Sequence, residues 1–152
     1  MYAYFSDRRL HILRVAAAVA MAIAILAGCR RGPAVIFVDG TVRLDGTLLE
    51  GASVAFTPTD SSAGSAAAGF TDAQGRFVLS ARGARLGAGT TAGDYVVIIS
   101  KTVIPPGEEA KASPKIVLVT PPIYEVKETS PLRATVKNGR NRFEFDLKSD
   151  SK

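Results

Sequence analysis

The sequence has no tryptophan, one histidine, one cysteine and two methionines among 152 residues. Their positions exclude more than their numbers do. His11, Met1 and Met21 all precede Cys29, so nothing after the cysteine carries an imidazole or a thioether. Ser-His-Asp and Cys-His catalysis need an imidazole to move a proton, and the commonest zinc sites need one as a ligand. A single cysteine also leaves no disulfide within the chain. Helical periodicity is missing as well: no apolar 3.6-residue repeat lasts for the roughly 10 to 12 residues of a packed helix. Only one long apolar run occurs, at residues 15–26, and it is shorter than the roughly 20 residues that span a bilayer.

That run belongs to a three-part leader. Arg8, Arg9 and Arg14 supply a positive segment, residues 15–26 an apolar core, and Leu26-Ala27-Gly28-Cys29 a terminus of one aliphatic and two small residues before a thiol. This order resembles the bacterial lipobox. The resemblance implies recognition of Leu26, Ala27 and Gly28 by the lipoprotein signal peptidase, cleavage after Gly28, and a diacylglycerol on the Cys29 thiol. Each buried CH₂ of an acyl chain contributes about 0.8 kcal/mol, so two or three chains would hold a domain at a lipid bilayer lastingly. Residues 1–28 are thus expected to be a signal peptide, 29–34 a tether and 35–148 the folded domain. Arg30, rather than an aspartate, follows the cysteine, which in bacteria with the familiar sorting rule directs a lipoprotein to the outer membrane.

The formal charge is +5, and falls to +3 once Arg8, Arg9, Arg14 and Asp7 leave with the leader. The remaining basic residues are scattered, with no dense patch or interleaved aromatics, so no nucleic-acid partner is expected. Arg30 and Arg31, beside the lipid, suit anionic headgroups.

Beyond the tether the pattern is of period two. Val35 and Phe37, then Val42 and Leu44 past Gly40, read as a strand with a glycine bulge. Asp45-Gly46 is a hairpin turn signal. Val54 and Phe56 make a strand that Pro58 stops. Residues 59–68 read as a flexible loop, Asp72-Ala73-Gln74-Gly75 as a tight turn, and Phe77 and Leu79 as the next strand. Glycine-rich 83–93 lacks the strand-to-helix context and the lysine of a phosphate cradle, and reads as a loop. Residues 94–100 form the most apolar strand, expected inside a sheet. Residues 103–122 hold five prolines and the run Ile116-Val117-Leu118-Val119, an edge strand or part of a long excursion. Leu132, Ala134 and Val136, then Phe143, Phe145 and Leu147, alternate with polar residues around 138–141 and read as a hairpin. The expectation is an all-β, seven-stranded sandwich with Phe37, Phe56, Phe77, Phe143 and Phe145 interdigitating between two layers.

The segments 40–46, 51–56, 71–77 and 93–97, with Leu48, resemble the carboxypeptidase regulatory-like domains, which are small prealbumin-like or Ig-like sandwiches. Thr47 stands where a proline is usual. Tyr124, 129–136 and 141–147 extend the resemblance to the form found in small lipoproteins of planctomycete-like bacteria. It implies a fold and a setting in the cell envelope, and little chemistry.

Candidate sites are few. Asp72 with Asp60 or Asp94 suggests calcium, but six to eight oxygens from a regularly spaced loop are wanted, and Asp72 suits the cap of its own turn better. Glu108-Glu109 sits among prolines, and Glu144 with Asp146 on an outward face, too open for the raised pKa of a general acid. The expectation is therefore no enzyme, no metal and no cofactor. What remains is a membrane-anchored extracytoplasmic module with a structural or protein-binding role, its partner an envelope protein met through loops 59–68 or 81–92 or the 103–122 segment. The alternative is carbohydrate or small-solute binding, for which Tyr124 is the isolated aromatic candidate.

Overall fold

The computed structural model describes residues 34–60 and 64–150. The leader, Cys29 and the tether as far as Pro33 lie outside the described residues, so the expectations for Leu26, Ala27, Gly28 and Cys29 are not addressed by it.

β1 (Val38–Leu44) buries Val38 and Val42 completely and turns Asp39, Thr41 and Arg43 the other way. It pairs residue for residue with two neighbours, Gly40 opposite both Phe77 and Phe143, so the expected bulge is absent. An unbroken strand puts one parity inside. Val35 and Phe37 are consequently 44% and 46% exposed, which corrects the placing of Phe37 in the core. Gly40 itself is an inward position: a Cβ there would lie 2.6 Å from two atoms of the Phe77 ring.

Asp45 and Gly46, with φ of 50° and 80°, turn the chain into β2 (Thr47–Leu48), pairing Leu44 with Thr47. Two successive left-handed residues are what a type I′ hairpin requires, and aspartate followed by glycine supplies them at least cost. Then follow β3 (Ser53–Pro58), ended by its proline as expected, β4 (Ala67–Phe70), β5 (Arg76–Val78), β6 (Ser80–Ala81) and β7 (Gly93–Ser100). A two-stranded ribbon of β8 (Thr102–Val103) and β9 (Val117–Leu118), a 3₁₀ turn Pro122–Tyr124, β10 (Arg133–Val136) and β11 (Asn141–Leu147) complete the domain.

The strands make an all-β, sandwich-like domain. In one sheet β1 is flanked by β11 on one edge and by β2 and β5 on the other; the second sheet runs β10-β7-β3-β4-β6. β7 lies inside its sheet, between β10 and β3, with Tyr95, Val96, Val97 and Ile99 all buried. Phe56 of the second sheet meets Phe77, Phe143 and Phe145 of the first at ring-centroid separations of 6.3, 5.6 and 6.2 Å. Tyr95, at 5.7 Å from Phe56, is a fourth neighbour. These rings join the two layers; burying each contributes about 1.5–3 kcal/mol.

The expected hairpin of residues 132–147 is corrected. Its alternation is present, with Ala134, Val136, Phe145 and Leu147 buried, but β10 pairs antiparallel with β7 and β11 pairs parallel with β1, in opposite sheets. Asn141 explains the arch. Its Oδ1 accepts the Lys137 N–H at 2.9 Å, and its Nδ2 donates to the carbonyls of Lys137 at 2.7 Å and Gly139 at 3.1 Å. A side chain thus satisfies backbone groups that a facing strand would satisfy in a hairpin.

Candidate interaction surface

The largest departure from the two-layer plan is the excursion between β7 and β10. β8 and β9 pair Thr102 with Leu118 and Val103 with Val117. Thr120, buried, closes the ribbon at its base: its hydroxyl oxygen accepts the Lys101 N–H at 2.9 Å and the hydroxyl donates to Glu125 Oε1 at 2.9 Å. At the far end, Glu108 accepts from the Lys111 ammonium at 2.5 Å and the Lys115 N–H at 3.2 Å. The same two contacts, the Lys111 one larger, hold its carboxyl below the usual glutamate range. Glu108 therefore organises a loop, and Glu109 does likewise through the Gly107 N–H.

Two strands cover each other's edges but not each other's faces. The ribbon accordingly leaves Val103, Ile104, Ile116 and Leu118 exposed, Ile116 to 64%. Where Glu125 meets Thr120, an open groove of about 590 Å³ begins, lined by Pro122, Ile123, Glu125, Val126 and Thr129. Val126 on its wall is exposed too. Several large apolar side chains left in water on one short ribbon are a usual mark of a contact surface.

The other expected surfaces fare differently. Ala67 and Ala68, assigned to the loop 59–68, belong to β4 and pair with β3 and with β6. Within 81–92, Leu86 is 96% exposed, whereas Thr90 and Thr91 are buried. The Tyr95 hydroxyl donates to the Thr91 carbonyl at 2.8 Å and lies 3.1 and 3.0 Å from the Thr90 and Thr91 hydroxyls. Thr90 in turn donates to the Ser65 carbonyl at 2.6 Å, and the Ser65 N–H donates to Thr91 at 2.9 Å. Both loops are tied to the core at this knot. The buried tyrosine needed hydrogen-bond partners for its hydroxyl, and the threonines of the loop provide them.

Tyr124 is also placed differently from expectation. It is buried, and its hydroxyl oxygen accepts the Lys148 N–H at 3.2 Å, so it presents no ring to a solute. Among the described residues the exposed aromatics are Phe37 and, to 74%, Phe70. Phe70 sits at the end of β4, where the short alternation Ala-Ala-Gly-Phe offered no signal of which face was inside.

Asp72 caps its own turn, Oδ1 accepting from Gln74 at 2.9 Å and Arg76 at 2.8 Å. Asp94 accepts from the Thr135 hydroxyl at 2.6 Å. Among the described residues no three His, Cys, Asp or Glu side chains are grouped to hold a metal ion.

On the outer face of the β1 sheet the charges form rows across strands. Asp39 Oδ2 receives Arg142 Nη2 at 2.5 Å and Nε at 2.8 Å, while Asp39 Oδ1 is buried with no partner among the described residues. Arg76 and Thr41 line the same small cleft of about 120 Å³. Glu144 lies 4.0 Å from Arg43, and Asp146 2.6 Å from the Lys148 ammonium, both on the outward face as their alternation required. Comparison with protein-family models, curated proteins and solved structures finds no match.

Proposed function

We propose that the chain is an extracytoplasmic lipoprotein: residues 1–28 are removed, Cys29 is acylated, and the sandwich is held at the outer membrane as a scaffold that docks an envelope protein. The lipobox-like order Leu26-Ala27-Gly28-Cys29 supports the anchor. The all-β architecture, the Asp45-Gly46 turn and the self-capped turn at Asp72 support a carboxypeptidase regulatory-like sandwich. The observation that carries the docking role is the apolar ribbon, on which Ile104, Ile116 and Leu118 face water, joined at its base by the Thr120–Glu125 hydrogen bond to the groove lined by Ile123 and Val126.

Two measurements test this reading. The intact mass of protein extracted from membranes begins at Cys29 with acyl chains attached, and Cys29→Ser leaves the precursor uncleaved; a water-soluble product cut elsewhere removes the anchor. A photo-cross-linking residue at Ile116 gives a discrete protein adduct in native envelopes, and one at exposed Glu50 does not. If neither position gives an adduct while a glycan array gives a reproducible sugar, the docking role yields to solute binding.

A further inference from the structure

The two long sides of the sandwich are finished differently. On one, the chain passes from β5 to β6 through Leu79, and residues 87–90 lie against it. Gly89 donates to the Leu79 carbonyl at 2.8 Å and accepts from Ala81 at 2.7 Å, and Ile36 pairs with Thr90. On the other side, β11 has β1 along one edge and no described strand along the other.

Parallel-ladder geometry identifies the groups left over. The Leu147 carbonyl accepts the Asp45 N–H at 2.9 Å, and Leu147 is in register with Leu44. In a parallel pair, alternate residues of a strand direct both their N–H and C=O to the same neighbour. Asn141, Phe143, Phe145 and Leu147 therefore bond to β1, and Arg142, Glu144 and Asp146 direct their backbone groups off the open edge. Exposed edges are commonly blunted by proline, by a bulge or by charged side chains, lysine above all. β11 has no proline, lysine or bulge, its pairing with β1 is continuous from Asn141 to Leu147, and its three charges, on Arg142, Glu144 and Asp146, are of mixed sign and so can pair with those of a like strand. The neighbouring edge strand β10 is shorter, follows Pro131, and has its Arg133 guanidinium folded back on the Ser130 and Leu132 carbonyls.

We infer that β11 pairs antiparallel with β11 of a second copy of this chain, about a two-fold axis at Phe143. The charges select this register. With Phe143 on the axis, Arg142 stands opposite Glu144 of the second copy, and Arg140 opposite its Asp146, each contact occurring twice by symmetry. Moving the axis to Glu144 keeps Arg142 opposite Asp146 but sets two glutamates face to face and, twice, Arg140 against Lys148. Moving it to Phe145 sets Glu144 against Asp146 and Arg142 against Lys148. Like charges directly opposite destabilise a strand pair, and opposite charges stabilise it. In the selected register Arg142 and Glu144 meet as a hydrogen-bonded pair, exchanging N–H and C=O with the second copy. The two Phe143 residues meet as a non-hydrogen-bonded pair, the closer kind. Phe143 is the ring of the core cluster left only partly buried, and its symmetry mate would cover it.

The experiment uses the full chain purified in detergent, with mass measured by light scattering across a dilution series. The expected result is twice the chain mass. Glu144→Arg makes the edge uniformly basic at its centre and Arg142→Glu makes it uniformly acidic; each alone gives the single-chain mass, and an equimolar mixture gives a heterodimer. Glu144→Pro removes the N–H that points off the edge, together with the carboxylate opposite Arg142, while leaving the ladder to β1 intact, and also gives single chains. Circular dichroism establishes that each variant is folded. A single-chain mass for the unaltered protein, a dimer that survives Glu144→Pro, or folded reversal variants that do not associate when mixed would each overturn the inference. None of these results bears on the ribbon surface.

Discussion

Phe77 lies over Gly40, the two residues sharing one place in the core: a methyl group on Gly40 would be 2.6 Å from Cε1 and Cζ of the ring. The same methyl would also press on the Phe143 carbonyl of the neighbouring strand. Neither a ring wedged among Phe56 and Phe145 nor a ladder carbonyl can retreat freely. Gly40→Ala is therefore expected to destabilise the domain by about 1–3 kcal/mol, the range for overpacking. Urea unfolding checks it, and an unchanged midpoint would show that the core yields there.

Phe56 touches rings of both sheets and is 1% exposed. Phe56→Ala leaves a cavity at the centre of the cluster and should cost about 3–5 kcal/mol. Phe37→Ala removes a ring of the same size from the surface, so its urea midpoint should move far less. A comparable loss at the two positions would contradict the placement of Phe37 on the outer face.

Tyr95→Phe keeps the ring and deletes the hydroxyl that joins Thr90 and Thr91 to the core. The lost bonds should cost about 1–3 kcal/mol. Amide hydrogen exchange should quicken selectively in residues 64–66 and 88–92. Uniform quickening across β3 and β7 would mean that the knot serves global rather than local stability.

The Lys148 ammonium, and after it the Gly46 N–H, hold the Asp146 carboxyl below its ordinary 3.8. The hydroxyl and then the N–H of Ser149 do the same for Asp45. A carboxylate depressed in the folded state contributes stability above its unfolded value and loses it as pH falls through the folded one, here below about pH 4. Lys148 is raised above 10.5, chiefly by Asp146, so its contribution is complete below that value and is lost as pH rises past the folded one. All these groups are in solvent, where salt weakens them. Asp146→Asn should flatten the acid limb of urea midpoint against pH, most visibly at low salt. An acid limb identical to that of the unaltered chain would exclude the pair as its source.

Ile116 contacts solvent more than protein, so Ile116→Lys should change stability by no more than about 0.5 kcal/mol. The same substitution should abolish an adduct formed from a neighbouring cross-linker at Leu118. Loss of folding would mean that the ribbon is part of the core.

The local chemistry of the chain was legible in its sequence. Asp45-Gly46 turns where two left-handed residues are cheapest, Asp72 caps its own turn, Pro58 ends a strand, and the outward position of Glu144 and Asp146 follows from alternation alone. Each depends on a few adjacent residues, and adjacent residues carry that information. Tertiary structure decided the partners. Alternation states that β10 and β11 each have an apolar face, but not that they lie in different sheets; that rests on Asn141 closing the arch and on β1 accepting a parallel neighbour. It likewise leaves open which parity of residues 35–44 is inside, because Val35 and Phe37 compete with Val38 and Val42 until β5 and β11 fix the register. The exposure of the ribbon and the burial of Tyr124 have the same origin: a side chain is covered only if some distant segment arrives to cover it.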